Sequence, residues 1–228
     1  MIEYLSAVAL RSEDTGEFDR RVTIYTKEMG KLKAKVAGVK KSISKLRPLA
    51  IPFVESRLQV YLHGTRRAGL HDPGKIVGGE VVNARGPLRN EWERMIQCSA
   101  FCETLDTLTH PCYPNPEEYR LLITTMDQLE TTSNPLLVRL RGTLILLKIL
   151  GYSLRHHSAW KAFSVREKQL LTALAKWDSR TSGFAVEETE ELERITHSYL
   201  SLYLSRPLKT DLFRNKMEAA LAPAAEEQ

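Results

Sequence analysis

The sequence predicts an α+β chain, a small five-stranded β-barrel followed by an all-helical domain, and three observations predict it. Apolar residues recur with a period of two over the first 85 or so residues and with a period near 3.6 after Gly86-Pro87. Charge divides at the same place: residues 1–90 hold 17 Lys and Arg against 9 Asp and Glu, a net of +8, whereas residues 91–228 hold 16 against 19, a net of −3. Gly and Pro cut the first part into short runs and leave long uninterrupted runs in the second.

The strands follow in order. Residues 2–11 are apolar and alternate in places, and 21–26 alternate with β-branched residues. Met29-Gly30 supplies a hairpin turn into a strand beginning at Lys31. A short element lies near 39–46, and Pro48 and Pro52 oppose regular pairing before alternation returns at 53–62. Residues 75–82 form the last strand. Five strands of this kind suggest an OB-fold barrel, whose strand faces and loops commonly bind oligonucleotides. The pattern alone also admits an SH3-like barrel.

Helices take over at 88–108, where Trp92, Met95, Ile96, Ala100, Leu105 and Leu108 share helical spacing. Asn115-Pro116-Glu117-Glu118 gives an N-cap, a proline in the first turn and two carboxylates there, so a helix runs from this point to about 130. Asn134-Pro135 repeats the signal for an apolar helix over 136–150, stopped by Gly151. Ser164 and Glu167 have capping-box spacing for a helix reaching about Trp177, and a final helix covers roughly 187–204. The expected organisation is therefore 1–85 barrel, 86–220 helical domain and 221–228 disordered tail.

In the barrel, Lys31, Lys33 and Lys35 alternate with Leu32, Ala34 and Val36, so the lysines share one strand face. Lys40, Lys41, Lys45 and Arg47 extend this basic track, and from Lys27 to Arg47 the single acidic residue is Glu28. Such clustering is the footprint of phosphate binding through counterion release. A solvated face on a half-buried strand explains the same alternation. Arg20 and Arg21 join the candidate set, although Asp19 and Glu17 offer them local ion partners. Tyr25, Phe53 and Tyr61 could stack on bases, or could fill the barrel interior as most aromatics of small barrels do.

Catalytic signatures are missing: there is no P-loop, G-x-S-x-G, H-E-x-x-H or C-x-x-C. Glu13, Asp14, Glu17 and Asp19 are the one compact carboxylate cluster that a metal-dependent nuclease could use, and a turn between strands accounts for them more simply. A protein-interaction adaptor with incidental positive charge is a further reading. Cys98 and Cys102 share a helix face, with His110 and Cys112 downstream, a set that could hold zinc but reads more simply as small buried hydrophobes. His156-His157 reads as a solvated pair in a loop. The helix over 136–150 is apolar nearly all round, as a central helix is, yet Arg139, Arg141 and Lys148 interrupt it beside Leu144. A groove edged by these residues would grip an acidic, hydrophobic peptide tail. Three cysteines, no basic-then-apolar leader after Met1 and no apolar run of spanning length lead to the expectation of a cytoplasmic protein.

Specific residues add to the pattern. Ala9-Leu10-Arg11-Ser12, Gly16-Glu17, Arg21-Val22-Thr23, Gly30-Lys31-Leu32 and Ala37-Gly38-Val39-Lys40-Lys41 are followed by Gly79-Glu80-Val81-Val82, Leu88-Arg89, Ala100-Phe101, Leu150-Gly151-Tyr152 and Arg206-Pro207-Leu208-Lys209-Thr210. In this ordered set the chain resembles the bacterial recombination mediator family RecO. The resemblance implies an OB-fold followed by a helical domain and a non-catalytic role without a cofactor. It also implies binding of single- and double-stranded DNA in the nucleoid, annealing of complementary strands, capture of the acidic tail of the single-stranded-DNA-binding protein, and, with RecR, help in loading the RecA recombinase. Many members carry a four-cysteine zinc module after the Leu-Gly-Tyr segment. Here residues 153–163 lead directly into the capping-box helix with no cysteine beyond Cys112, so no zinc module and a shortened C-terminal region are expected. Gly142-Thr143 stand where the family tends to have an aromatic-Glu pair after the arginine.

Overall fold

The computed structural model describes residues 1–62, 74–179 and 183–221. Strands β1 (Ile2–Thr15), β2 (Asp19–Thr26), β3 (Gly30–Val36), β4 (Glu55–Tyr61) and β5 (Gly74–Asn83) close a barrel in the order β1-β2-β3-β5-β4. That order is the OB arrangement, closed by a short parallel contact in which Ala34 faces Gly74 and Lys35 faces Lys75. β1 is long enough to serve two neighbours. Its residues 7–15 pair with β2 and its residues 2–8 with β4, and a register shift between Ala9 and Arg11 lets the strand bend from one to the other.

The period of two gathers Leu5, Ala7, Ala9, Val22, Ile24, Leu32, Ala34, Val36, Leu58, Val60 and Ile76 into one interior. The β2–β3 turn is fixed by Thr26, whose hydroxyl accepts from Met29 N at 3.0 Å and donates to Gly30 O at 2.9 Å. Gly30 has φ +68°, and a Cβ there would fall on the Tyr113 carbonyl. The position therefore needs glycine twice over.

Chain contacts gather into two units, each built from two stretches of sequence. One unit is Met1–Glu91 with Thr109–Glu130, and the other is Trp92–Leu108 with the chain from Thr131 onward. The first unit adds α1 (Pro87–Asn90) and α3 (Pro116–Thr131) to the barrel. Segment 109–119 covers the outer face of the β2–β3 hairpin: Cys112 N donates to Lys31 O at 2.9 Å, and the Tyr25 hydroxyl donates to the buried Glu118 carboxylate. Burial, and then Glu118, push the Tyr25 phenol far above its ordinary pKa. Arg85, fully buried, is held by Glu55 at 3.0 Å, Asp127 at 2.7 Å and Glu130 at 3.2 Å.

The second unit consists of α2 (Trp92–Leu108), α4 (Pro135–Ile149), α5 (Ala159–Ala162), α6 (Val165–Lys176), α7 (Val186–Ser201) and α8 (Lys209–Leu221). As its composition predicts, α4 is central, packing on α2, α6 and α7 through Leu137, Val138, Leu140, Leu146 and Leu147. The capping box forms: Glu167 N donates to Ser164 Oγ at 3.1 Å and Ser164 N to Glu167 Oε2 at 2.8 Å. Extended backbone at Glu91 splits the single helix expected over 88–108 into α1 and α2. α8 was not foreseen from sequence; its start is capped by Glu103 of α2, which accepts from Lys209 N, Thr210 N and Thr210 Oγ1 at 2.8–2.9 Å. The tail from residue 222 lies outside the described residues.

Candidate nucleic-acid interface

The lysine row is broken at its first member. Lys31 is 8% exposed and its Nζ donates to Thr109 O at 2.6 Å, because segment 109–113 lies across this end of β3. It is an anchor for that segment, which corrects its assignment to the polyanion face. Lys33 and Lys35 remain exposed on the same strand face, as the alternation requires.

The other basic residues collect around the β1–β2 turn and segment 37–47. Asp14 bridges two of them, with Arg20 Nε at 3.0 Å and Lys40 Nζ at 2.7 Å. Asp19 pairs with Lys35 at 2.7 Å and accepts from Gly38 N at 2.7 Å. These hydrogen bonds, from Lys40 first for Asp14 and from Lys35 first for Asp19, hold both carboxyls below the usual carboxylate range. Lys41 stands over the Phe18 ring at 5.5 Å, while Arg47 Nη2 donates to the Lys41 carbonyl at 3.0 Å. Arg21, Lys33, Lys41, Lys45 and Arg47 are exposed and form no salt bridge among the described residues. The barrel thus presents exposed cations on β2, β3 and the following loop, beside a set neutralised from within. Asp14 and Asp19 are engaged by cations rather than gathered for a metal, and among the described residues no group of three or more His, Cys, Asp or Glu could hold one.

Aromatic candidates divide. Tyr25 and Phe53 are core residues, whereas Tyr61 is exposed and Tyr4 of β1, missed from sequence, is 74% exposed, two positions along the strand from Ile2, the cross-strand partner of Tyr61. Cys98 and Cys102 are buried on α2 as small hydrophobes. His157 is not solvated as expected but packs edge-on against Tyr199 at 5.4 Å.

In the second unit the peptide-groove candidates also divide. Arg139 is 5% exposed, donates to Glu193 Oε1 at 2.8 Å and lies 3.6 Å from Asp211, so it belongs to a buried ion network and is corrected out of the groove. Arg141, Leu144 and Lys148, on another face of α4, line a groove of 670 Å³ with Leu154, Arg155, His156, Trp160, Leu171 and Leu174. Arg155 and Trp160 were missed, and His156, read as solvated, is exposed at the groove. The clustering of Arg155, Trp160 and Lys161 was the available signal. No described helix is long and apolar enough to cross a membrane.

Comparison with known proteins agrees with this geometry. The family model for the Recombination protein O N terminal matches residues 1–72, and that for the Recombination protein O C terminal matches residues 89–161. The chain is 29% identical over 154 residues to the DNA repair protein RecO of Desulfitobacterium hafniense strain DSM 10664 / DCB-2, covering 66% of this chain and 52% of that protein. It is 32% identical over 146 residues to the DNA repair protein RecO of Heliobacterium modesticaldum, covering 64% and 50%. The match to the DNA repair protein RecO of Bacillus subtilis strain 168 is 24% over 252 residues and covers 96% of each chain. The chain spans about half the length of the first two relatives in these matches.

Proposed function

The chain belongs to the RecO family, and on that premise we propose that it is a non-enzymatic mediator of recombination in DNA repair. The observation that carries the proposal is the set of exposed cations Arg21, Lys33, Lys41, Lys45 and Arg47 on an OB barrel. These side chains gather phosphates of single- or double-stranded DNA and release counterions. Neutralising two polyanions lets complementary strands approach and anneal, and no covalent bond is made or broken.

The groove at Arg141, Leu144 and Lys148 supports the partner half of the reading. Its apolar floor and basic rim suit the acidic, hydrophobic tail of single-stranded-DNA-binding protein, with the cations placed for carboxylates. RecR and, indirectly, RecA are the further partners in this cytoplasmic, nucleoid-associated role.

Annealing of complementary strands, bare or coated with single-stranded-DNA-binding protein, tests both surfaces. Annealing in both conditions is expected, with coated strands more sensitive to substitution of Arg141 and Lys148. Charge reversal of Lys33, Lys41, Lys45 and Arg47 should weaken binding to any sequence and flatten its salt dependence. Parent-like affinity at matched salt would rule out the barrel surface.

A further inference from the structure

The net charge of the helical region hides a strongly basic stretch. Between residues 148 and 176 lie Lys148, Arg155, Lys161, Arg166, Lys168 and Lys176, against the single acid Glu167. Glu167 is itself engaged by the cap of α6 and by Arg194 at 2.9 Å, and Arg166 pairs with Glu191 at 3.4 Å.

On α6, Lys168, Thr172 and Lys176 recur every four residues, on the side turned from the buried Leu170, Leu171 and Leu174. Thr172 carries a third charge to the middle of this line. Its hydroxyl donates to Lys168 O at 2.7 Å and accepts from Arg155 Nη2 at 3.3 Å. Helical rise sets the backbone positions of Lys168, Thr172 and Lys176 at intervals of about 6 Å, comparable with the distance between neighbouring phosphates of an extended strand. Lys168, Thr172 and Lys176 border a shallow depression of 450 Å³ with Val165, Gln169 and Ala173. The Trp160 ring lies beside the same line, 5.9 Å from Lys168 Nζ and 6.0 Å from the Arg155 guanidinium. Among the described residues none of Arg155, Lys168 and Lys176 has a carboxylate partner, in contrast to Arg20, Lys35 and Lys40 of the barrel.

We propose that Lys168, Lys176 and the Thr172-held Arg155, with Trp160, form a second site for a nucleic-acid strand, separate from the barrel surface. The cations take successive phosphates, and the indole offers a base a stacking surface. Arg155 and Trp160 also line the deeper apolar groove, so the two sites adjoin. An acidic, apolar peptide is served by the groove's Leu144, Leu171 and Leu174, which the solvent-facing line of Lys168 and Lys176 lacks. A chain with two strand sites can hold two single strands at once, which deepens the mediator reading and rests on it.

The test compares the full-length parent with Lys168→Gln/Lys176→Gln and with Trp160→Phe, using a fluorescent oligothymidylate and, separately, complementary strands. Loss of two phosphate contacts should lower affinity about tenfold at 0.1 M salt and reduce the slope of log K against log salt by about 1.4. Annealing should fall further than binding of one strand. Quenching of tryptophan fluorescence by the oligonucleotide should diminish in Trp160→Phe. If the parent binds and anneals but the double variant matches it at every salt concentration, the second site is wrong and the barrel reading stands. If the parent binds no oligonucleotide, both readings fall. Should the double variant lose binding of an acidic, apolar peptide while keeping parent-like oligonucleotide binding, the α6 cations serve the groove and the proposal is overturned.

Discussion

Lys31 and Thr109, 78 positions apart in the chain, are joined by a 2.6 Å hydrogen bond from the lysine Nζ to the threonine carbonyl. A residue whose sequence context points to a phosphate ligand is thereby turned into a fastening between β3 and the segment leading into α3. Lys31→Ala should cost about 1–3 kcal/mol, the usual penalty for leaving a buried polar partner unpaired. Urea denaturation should show this loss. Lys33→Ala, two residues away and exposed, should change stability by less than about 0.5 kcal/mol and weaken oligonucleotide binding instead.

Asp14 and Asp19 occupy Arg20, Lys40 and Lys35 as phosphates would. Asp14→Asn with Asp19→Asn should raise oligonucleotide affinity and steepen its salt dependence, measured by anisotropy titration. Both carboxyls titrate below the ordinary 3.8, so their ion pairs contribute to stability above that value and lose the contribution as pH falls through the depressed folded values. Across pH 6–8 these two groups should therefore add no pH dependence to stability, whereas acid unfolding of the double variant should lose their part of the transition.

Arg85 is the buried hub of three carboxylates, two of them on α3. Arg85→Met should cost about 3–5 kcal/mol, since it leaves those acids without their cation. Arg85→Lys should recover only part of the loss, because one ammonium cannot reproduce a guanidinium's divergent contacts. Thermal unfolding of the three proteins provides the comparison.

Arg139 and Arg141 are two residues apart on α4 and should separate cleanly. Arg139→Ala removes a member of the network with Glu193 and Asp211 and should lower stability by about 3 kcal/mol. Arg141→Ala, at the groove, should leave stability nearly intact and weaken binding of an acidic apolar peptide about tenfold, roughly 1.4 kcal/mol.

Gly30→Ala combines a left-handed backbone with contact on the Tyr113 carbonyl. The conformational cost alone is about 1–2 kcal/mol. Denaturation should show at least that loss, and proteolysis should reveal whether segment 109–115 has loosened from the hairpin.

The sequence by itself determined the five strands, their inward faces, α4 as the central helix and the capping box of α6. Each depends on neighbours within about one turn or one strand pair, where period, turn residues and capping spacing act directly. Tertiary structure alone decided which charges are available. Lys31 looks like Lys33 along the chain, but segment 109–113 covers one and not the other. Arg139 looks like Arg141, but Glu193 and Asp211 come from α7 and α8. α8 itself begins where Glu103, 106 residues earlier, supplies the acceptor for Lys209 N. The Lys168, Arg155 and Lys176 line likewise exists because Thr172 holds an arginine from 17 positions upstream. Desolvation and ion pairing belong to contacts between distant segments, so local pattern placed the cations in the sequence while packing decided which of them can meet a phosphate.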